Sequence, residues 1–222
     1  MKISCLVHDL SANSIVRTYP IAKVLERNHE VEVIGPVFGD GIYEAYSDEF
    51  NYKPVVSSSK RWPSFAACLP ALLKAIEGDV IYAFKPLPTS FGVGLLANLK
   101  KGNPLILDIE DWDNARFYHT PLWRQLLVLG GGIATPYGGL AQCAMENLTH
   151  LADRVTVSSH FLQSRFGGRR LYHGTDCGKF DPALYNREAV RRKFGLQDGF
   201  YVLFKSNPAS HKRVDDLCSA VR

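Results

Sequence analysis

The sequence lacks the cysteine patterns that mark disulfide-stapled and zinc-binding proteins. Its 222 residues include only five cysteines, and no two of them form a C-x-x-C pair. An odd number of widely spaced cysteines indicates neither a disulfide framework nor a zinc site. A cytoplasmic location, where thiols stay reduced, is therefore expected.

Long hydrophobic runs are missing as well. The apolar run at residues 3–7 ends at His8 and Asp9, so it is too short for a signal-peptide core or a membrane span. No other stretch approaches the roughly 20 apolar residues that a spanning helix requires. Any membrane contact is therefore expected to be peripheral, on the inner face of the membrane.

Charge of one sign is not concentrated anywhere in the chain. The formal net charge of +4 favours anionic ligands such as nucleotide phosphates or a phospholipid surface, but it is too small to indicate nucleic acid. The basic residues form only short groups, which is typical of a solvated surface; a lipid or RNA patch is the alternative.

The motifs of several common enzyme classes are also absent. A dinucleotide-binding domain needs G-x-G-x-x-G after its first strand and an acidic residue at the end of its second strand. Here the first loop reads HDLSAN at residues 8–13, and the second strand is predicted to stop at Gly35-Pro36. There is no Walker loop, G-x-S-x-G elbow or H-E-x-x-H pair. An NAD or FAD enzyme is therefore disfavoured.

What the chain does contain is a regular alternation of short apolar runs with amphipathic segments. Hydrophobic residues make up 46% of the sequence, enough for a substantial core. Short apolar runs are typical of strands buried on both faces of a parallel sheet. The predicted strands are residues 3–7, 31–34, 52–56, 80–84, 104–109, 154–157 and 171–172, and the predicted helices are 15–27, 65–76, 90–99, one around 145–152 and 159–166. This order predicts an α/β fold, a Rossmann-like parallel sheet with helices on both faces.

The end of the chain begins a new unit. A strand is predicted at residues 201–204 and a helix at 210–221, whose apolar residues recur at i, i+3, i+4 and i+7. One strand cannot cover the apolar stripe of this helix, so the pair is interpreted as the start of a second domain. The predicted domains are residues 1–183 and 184–222. The alternative is that the last unit folds back as an edge of the first sheet.

Four segments, in this order, resemble family 4 glycosyltransferases. Residues 17–36, RTYPIAKVLERNHEVEVIGP, are similar to the opening helix, turn and second strand of that family, and residues 145–159, MENLTHLADRVTVSS, to a later helix and strand. Residues 171–182, LYHGTDCGKFDP, resemble the turn that leads into the interdomain linker. Residues 202–217, VLFKSNPASHKRVDDL, resemble the first strand, loop and helix of the donor-binding domain. The matches span nearly the whole chain.

This resemblance implies the architecture called GT-B, with two Rossmann-like domains. Residues 1–183 would be an acceptor-side domain, and 184–222 a linker and the truncated start of a donor-binding domain. The family transfers sugars from a nucleotide sugar with retention of configuration, usually without a bound metal, so no cofactor beyond the nucleotide-sugar co-substrate is expected. The expected partners are the nucleotide sugar, a carbohydrate or lipid-linked acceptor and the missing carboxy-terminal domain, with no nucleic acid.

Ligands of open α/β sheets bind at the carboxyl ends of the strands, so the site is expected in the loops after the first, fourth and fifth strands. Glu110 and Asp111 are the predicted catalytic residues. Glu110 stands where the family has a histidine, and a carboxylate there could bind a sugar hydroxyl or accept its proton. The alternative is a loop cluster, with Asp113, that caps the next helix. The predicted acceptor-binding residues are His8, Asp9, Ser11, Arg17, Lys85, Trp112 and His119.

Several of these residues also have an ordinary structural explanation. Asp9 and Ser11 could simply turn the chain, Arg17 could be a surface arginine, and the aromatic residues near Trp112 could pack in the core. On the donor side, Lys212 matches the family lysine that neutralises the donor diphosphate, with a free surface lysine as the alternative, and Asn207 stands where an arginine is expected. Two other functions remain open: a GT-B-like sugar-nucleotide epimerase and a non-catalytic sugar-binding module.

Overall fold

The computed structural model describes residues 1–118, 121–123, 125, 132–204 and 212–221, without the side chains of residues 116 and 117. The chain divides into two compact units, Met1–Thr175 and Asp176–Arg222. The domain boundary predicted after residue 183 stays a prediction.

Seven strands of the described residues form one parallel sheet in the first unit. They are β1 (Lys2–Leu6), β2 (Glu30–Val37), β3 (Tyr52–Val56), β4 (Val80–Phe84), β5 (Leu105–Ile109), β6 (Arg154–Val157) and β7 (Arg169–Arg170). Their spatial order is β3-β2-β1-β4-β5-β6-β7, and every neighbouring pair is parallel. The central strands form from apolar runs because both of their faces are covered. The predicted Rossmann-like α/β fold is confirmed.

Helices cover both faces of this sheet. They are α1 (Ile15–Leu25), α2 (Trp62–Ala75), α3 (Val93–Lys101), α4 (Ala115–Tyr118), α5 (Gly139–Asn147) and α6 (His160–Phe166), and a π-helical turn, Pro88–Gly92, precedes α3. The buried residues of α1 pack on one face with Cys5 of β1, and those of α2, α3 and α6 pack on the other face with Leu6. Successive side chains of one strand therefore belong to two different cores, as the two-residue period of a strand requires.

Two predicted strand ends differ from the structure. β2 does not stop at Gly35-Pro36 but continues to Val37. Gly35 is required there for space, since a Cβ atom on it would lie 2.5 Å from the carbonyl oxygen of Val7. The last strand lies at Arg169–Arg170 rather than at residues 171–172, although the N–H of Leu171 still donates to the carbonyl oxygen of Val157.

The second unit is helical where its described residues have regular structure. It contains a 3₁₀ turn at Pro182–Leu184, α7 (Arg187–Lys193) and α8 (Val214–Ala220). The strand predicted at residues 201–204 is wrong, because this segment has no regular structure. A strand needs a neighbour to pair its backbone groups, and the described part of this unit offers none. An extra edge strand on the first sheet, the alternative for this segment, is not found among the described residues either.

Candidate functional site

The order of the strands reverses between β1 and β4. From β1 the sheet continues to β2 and β3 on one side, and from β4 it continues to β5, β6 and β7 on the other. The helices that follow β1 and β4 pack on opposite faces, which opens a crevice at the carboxyl edge, the usual ligand position in such sheets. His8 and Asp9 follow β1 at this edge, Lys85 follows β4, and Glu110 and Asp111 follow β5.

One lysine and three carboxylates form the Lys85 cluster, made of Lys85, Glu110, Asp111 and Asp113. The Lys85 ammonium lies 3.4 Å from Oε1 of Glu110, 3.5 Å from Oδ2 of Asp111 and 3.5 Å from Oδ1 of Asp113. The side chains of Lys85 and Glu110 are only 16% and 17% exposed, whereas Asp111 is 68% exposed. Residues from two separate loops therefore meet, with Asp111 on the outside.

Burial and charge act against each other in this cluster. Burial raises the pKa of Glu110, Lys85 opposes that rise, and the result is a pKa above the ordinary glutamate value. The pKa of Asp113 is raised for the same reasons. Burial lowers the pKa of Lys85, but the surrounding carboxylates outweigh it, and the pKa ends above the ordinary lysine value. Glu110 thus has the raised pKa that suits proton transfer.

The loop after β5 is also tied to its neighbour strand. Ser158, which follows β6, donates its hydroxyl to the carbonyl oxygen of Glu110 at 2.6 Å. Ser159 caps α6 by accepting the N–H of Leu162 at 3.2 Å. The backbone of Glu110 is therefore held by the side chain of Ser158, the residue that precedes the cap of α6.

His8 is neutral at the inner end of the crevice. Burial, together with the nearby ammonium groups of Lys85 and Lys60, lowers the pKa of His8 to about 3. Its Nδ1 atom is buried and has no hydrogen-bond partner among the described residues. Tyr137, which the sequence analysis missed, donates its hydroxyl to the carbonyl oxygen of His8 at 2.6 Å. A neutral imidazole here can exchange hydrogen bonds with a sugar hydroxyl without adding charge.

Asp9 and Ser11 turn the chain after β1. One Asp9 oxygen accepts from the Ser11 N–H at 3.0 Å and from the Ser11 hydroxyl, and the other pairs with the Lys60 ammonium at 2.9 Å. The Asp9 side chain is 3% exposed. Such bonds are typical of an Asx turn. The alternative that Asp9 and Ser11 turn the chain therefore accounts for the contacts that both residues make. Their predicted contact with an acceptor stays a prediction.

Arg17 lies beneath the edge rather than on it. Its guanidinium binds Asp108 of β5 through two bonds of 2.9 and 3.0 Å and also donates to the carbonyl oxygen of Leu171 at 2.7 Å. Both side chains of the ion pair are 1% exposed. Arg17 is therefore not a surface arginine, and in this arrangement its burial leaves no surface for the acceptor contact that the sequence predicted. The sequence signal for this ion pair is Asp108, the one acidic residue within the apolar run of β5, since a buried carboxylate needs a cationic partner.

Trp112 is held by neighbours on several sides. Its indole N–H donates to Glu146 at 3.2 Å, its ring stacks on Tyr118 at 5.5 Å between centroids, and the Arg165 guanidinium lies 3.9 Å from the ring centroid. The ring is partly buried and packs against the core, which is the structural alternative for this residue. The predicted contact of Trp112 with an acceptor stays a prediction for the exposed part of the ring.

For the three other predicted site residues, the structure does not test the predicted role. His119 and Asn207 lie outside the described residues. Lys212 is described in the second unit, where it is exposed. The donor-binding role of Lys212 and Asn207 therefore stays a prediction.

Two features of the described residues bear on other kinds of site. No cluster of three or more His, Cys, Asp or Glu side chains among them has the arrangement of a metal site. A groove of about 720 Å³ lies against α2, α3 and α5, and the described residues that line it include no ionisable side chain. That groove can bind apolar groups, but its described lining offers no acid or base. No helix among the residues that the structure describes has the length and apolarity needed to span a bilayer.

Comparison with known proteins gives structural likeness only. No protein-family description matches the sequence, and no relative is found among curated proteins. Two solved structures of the Anabaena protein HepE (Alr3699) are similar to this chain. The structure with UDP and glucose has a TM-score of 0.53 at 18% identity, and the structure with UDP has a TM-score of 0.51 at 19% identity. In both, the match covers 88% of this chain and 50% of HepE, so the chain spans about half the length of that protein and shares the fold of that half.

Proposed function

We propose that this chain is the acceptor-side half of a GT-B glycosyltransferase that uses a nucleotide sugar. The observation that carries the proposal is the Lys85 cluster, which follows β4 and β5 at the carboxyl edge, next to the switch point of the sheet. The likeness of the fold to half of HepE, solved with UDP and glucose, supports it. The sequence resemblance to family 4 glycosyltransferases supports the same function.

Glu110 is the proposed base of the reaction. The acceptor hydroxyl oxygen would attack the anomeric carbon of the donor sugar and form a new C–O bond, while the bond from that carbon to the diphosphate oxygen breaks. The leaving diphosphate would keep the bonding electron pair, and the proton of the acceptor hydroxyl would pass to Glu110. The largely buried position of Glu110 and its raised pKa support this role.

The neighbouring residues are assigned supporting roles in the same proposal. Asp111 is exposed and can accept a hydrogen bond from a sugar hydroxyl, and His8 offers a neutral imidazole. We assign the leaving diphosphate to Lys212, with Asn207 as a hydrogen-bond donor, since a diphosphate that leaves without a metal needs a fixed cationic partner. Retention of configuration belongs to the proposal as well, and it requires the acceptor oxygen to attack the anomeric carbon on the same face from which the diphosphate leaves. Metal independence and a carbohydrate or lipid-linked acceptor complete the proposal.

The test uses a protein that joins this chain to its donor-binding half. Sugar transfer from UDP-glucose and other nucleotide sugars is measured with carbohydrate and polyprenyl-phosphate acceptors. Glu110→Gln is expected to lower turnover about 100-fold or more, because a positioned base contributes at least that much. Asp111→Asn is expected to lower turnover more than it lowers stability.

The matched control for both variants is Glu44→Gln, which changes an exposed carboxylate that is not a member of the cluster. Its turnover should equal that of the wild type. Unchanged turnover in Glu110→Gln would remove Glu110 as the base. Epimerised donor without transfer would favour the epimerase, and donor or acceptor binding without any turnover would favour the binding module; either result would overturn the proposed function.

A further inference from the structure

Lys85 adopts a backbone conformation that is unusual for its side chain. Its φ angle of 70° lies in the left-handed region, which only one other non-glycine residue among the described ones adopts, Arg213. The N–H of Lys85 donates to the carbonyl oxygen of Asp108 at 2.9 Å. The carbonyl oxygen of Lys85 accepts from the Ser90 hydroxyl at 2.9 Å and from the Leu87 N–H at 2.9 Å. These three bonds stabilise a conformation that costs free energy by itself.

The result of this conformation is an enclosed ammonium group. Lysine side chains rarely avoid water, yet Lys85 is 16% exposed and lies within 3.5 Å of all three carboxylates of the cluster. The positive charge of Lys85 therefore faces the carboxylates of the cluster, whose negative charges already balance it. An acceptor that enters from solvent meets Asp111 first, since Asp111 is the most exposed member of the cluster.

We propose that Lys85 is a positioning residue that keeps Glu110 and Asp113 ionised and oriented, rather than a ligand of the acceptor. This inference rests on the proposed function, because it assigns Lys85 a task in preparing the proposed base. It changes the acceptor-binding role that the sequence predicted for Lys85.

The charges around the cluster show why one cation matters so much. Glu110 faces Lys85 and Arg17 as cations and Asp111 and Asp108 as carboxylates, but Arg17 is already paired with Asp108. Asp113 faces Lys85, Asp111 and Glu146. Lys85 also faces His8, which is neutral. Without Lys85, the described side chains would leave the three carboxylates of the cluster no unpaired cation beside them, so protonation of Glu110 or Asp113 would relieve both burial and repulsion.

The test is a titration that needs no substrate. The protein is labelled with ¹³C at its Glu and Asp carboxyl carbons, and the resonances of Glu110 and Asp113 are assigned with Glu110→Gln and Asp113→Asn and followed by NMR against pH. In Lys85→Met, the apparent pKa of Glu110 or Asp113 should rise by about one unit or more, the usual effect of a neighbouring opposite charge. Lys85→Arg should restore the wild-type titration, because it replaces the cation.

Two further variants separate charge from backbone effects. Lys85→Gly removes the ammonium but suits a positive φ angle, so it should fold and shift the titration as Lys85→Met does. Lys60→Met removes a nearby ammonium that pairs with Asp9 instead, and it should leave the titrations of Glu110 and Asp113 unchanged. Wild-type titrations in both Lys85→Met and Lys85→Gly would overturn the inference, as would an equal shift in Lys60→Met.

The kinetic consequence is distinct from the test of the proposed function. In the joined protein, Lys85→Met should move the acidic limb of the turnover–pH profile upward while the KM for the acceptor changes little. A large rise in KM with an unmoved profile would make Lys85 an acceptor ligand and overturn the inference. If Glu110→Gln kept full turnover while Lys85→Met still shifted the carboxylate titration, Glu110 would be overturned as the base. The positioning effect of Lys85 would then remain supported.

Discussion

Arg17 and Asp108 form an enclosed ion pair beneath the carboxyl edge. Besides the two bonds between them, Asp108 accepts the hydroxyl of Thr156 at 2.6 Å, and that hydroxyl shares a contact of 2.8 Å with Tyr82. The pair therefore belongs to a buried polar network that joins α1 to strands β4, β5 and β6. Removing one partner of such a pair leaves the other charge buried without compensation.

Arg17→Met is expected to lower the free energy of unfolding by about 3–5 kcal/mol, the usual cost of breaking a buried ion pair. Urea unfolding of the 222-residue chain measures it. The double variant Arg17→Met/Asp108→Leu should recover part of the loss, because neither charge then remains. Arg154→Met, which changes an exposed arginine, should stay within about 0.5 kcal/mol of the wild type. If Arg17→Met and Arg154→Met lowered the free energy of unfolding equally, the buried role of Arg17 would be contradicted.

At the scale of elements, β2 depends on a close approach of two backbones. The loop after β1 passes over Gly35, and a side chain there would meet the carbonyl oxygen of Val7 at 2.5 Å and the Leu10 side chain at 3.1 Å. The N–H of Leu10 also donates to the carbonyl oxygen of Pro36 at 2.8 Å. The loop that carries His8 and Asp9 is thus positioned by the end of β2.

Gly35→Ala should lower the free energy of unfolding by about 1–3 kcal/mol, the range for overpacking, because backbone atoms must move to admit the methyl group. Gly92→Ala is the matched control. A Cβ atom on Gly92 would lie 3.4 Å from the Met145 sulfur, which is an ordinary contact with a flexible side chain. Urea unfolding of both variants checks the prediction, and a loss for Gly92→Ala as large as that for Gly35→Ala would count against it.

At the scale of the whole molecule, the fold corresponds to about half of HepE. The first unit contains the sheet and the Lys85 cluster, whereas the second unit contains, among its described residues, only short helices and a 3₁₀ turn. The proposed diphosphate-binding residues belong to the second unit, so the donor side of the proposed reaction depends on that unit and not on the sheet.

The 222-residue chain alone should show negligible sugar transfer, because a leaving diphosphate would lack a complete set of cationic partners. Single-turnover assays with a panel of nucleotide sugars measure this, with the protein joined to its donor-binding half as the positive control. Turnover by the chain alone at an ordinary enzymatic rate of about 1 per second or faster would refute the prediction.

The candidate site could be predicted only in part. The position of Glu110, Asp111 and Lys85 follows from counting strands, since residues that follow parallel strands meet at one edge of the sheet. Their mutual contact does not follow, because it depends on the left-handed φ angle of Lys85 and on its hydrogen bonds. Tyr137 escaped prediction because it lies in a segment with no helical or strand period.

By itself, the sequence determined the parallel α/β fold and the edge at which ionisable residues gather, because the period of apolar residues and the order of strands are local properties of the chain. Only the tertiary structure decided that Arg17 is buried against Asp108, that Gly35 lies inside β2 and that Lys85 is enclosed by carboxylates. Burial and ion pairing at these positions arise between residues far apart in the chain, and no local pattern encodes such contacts.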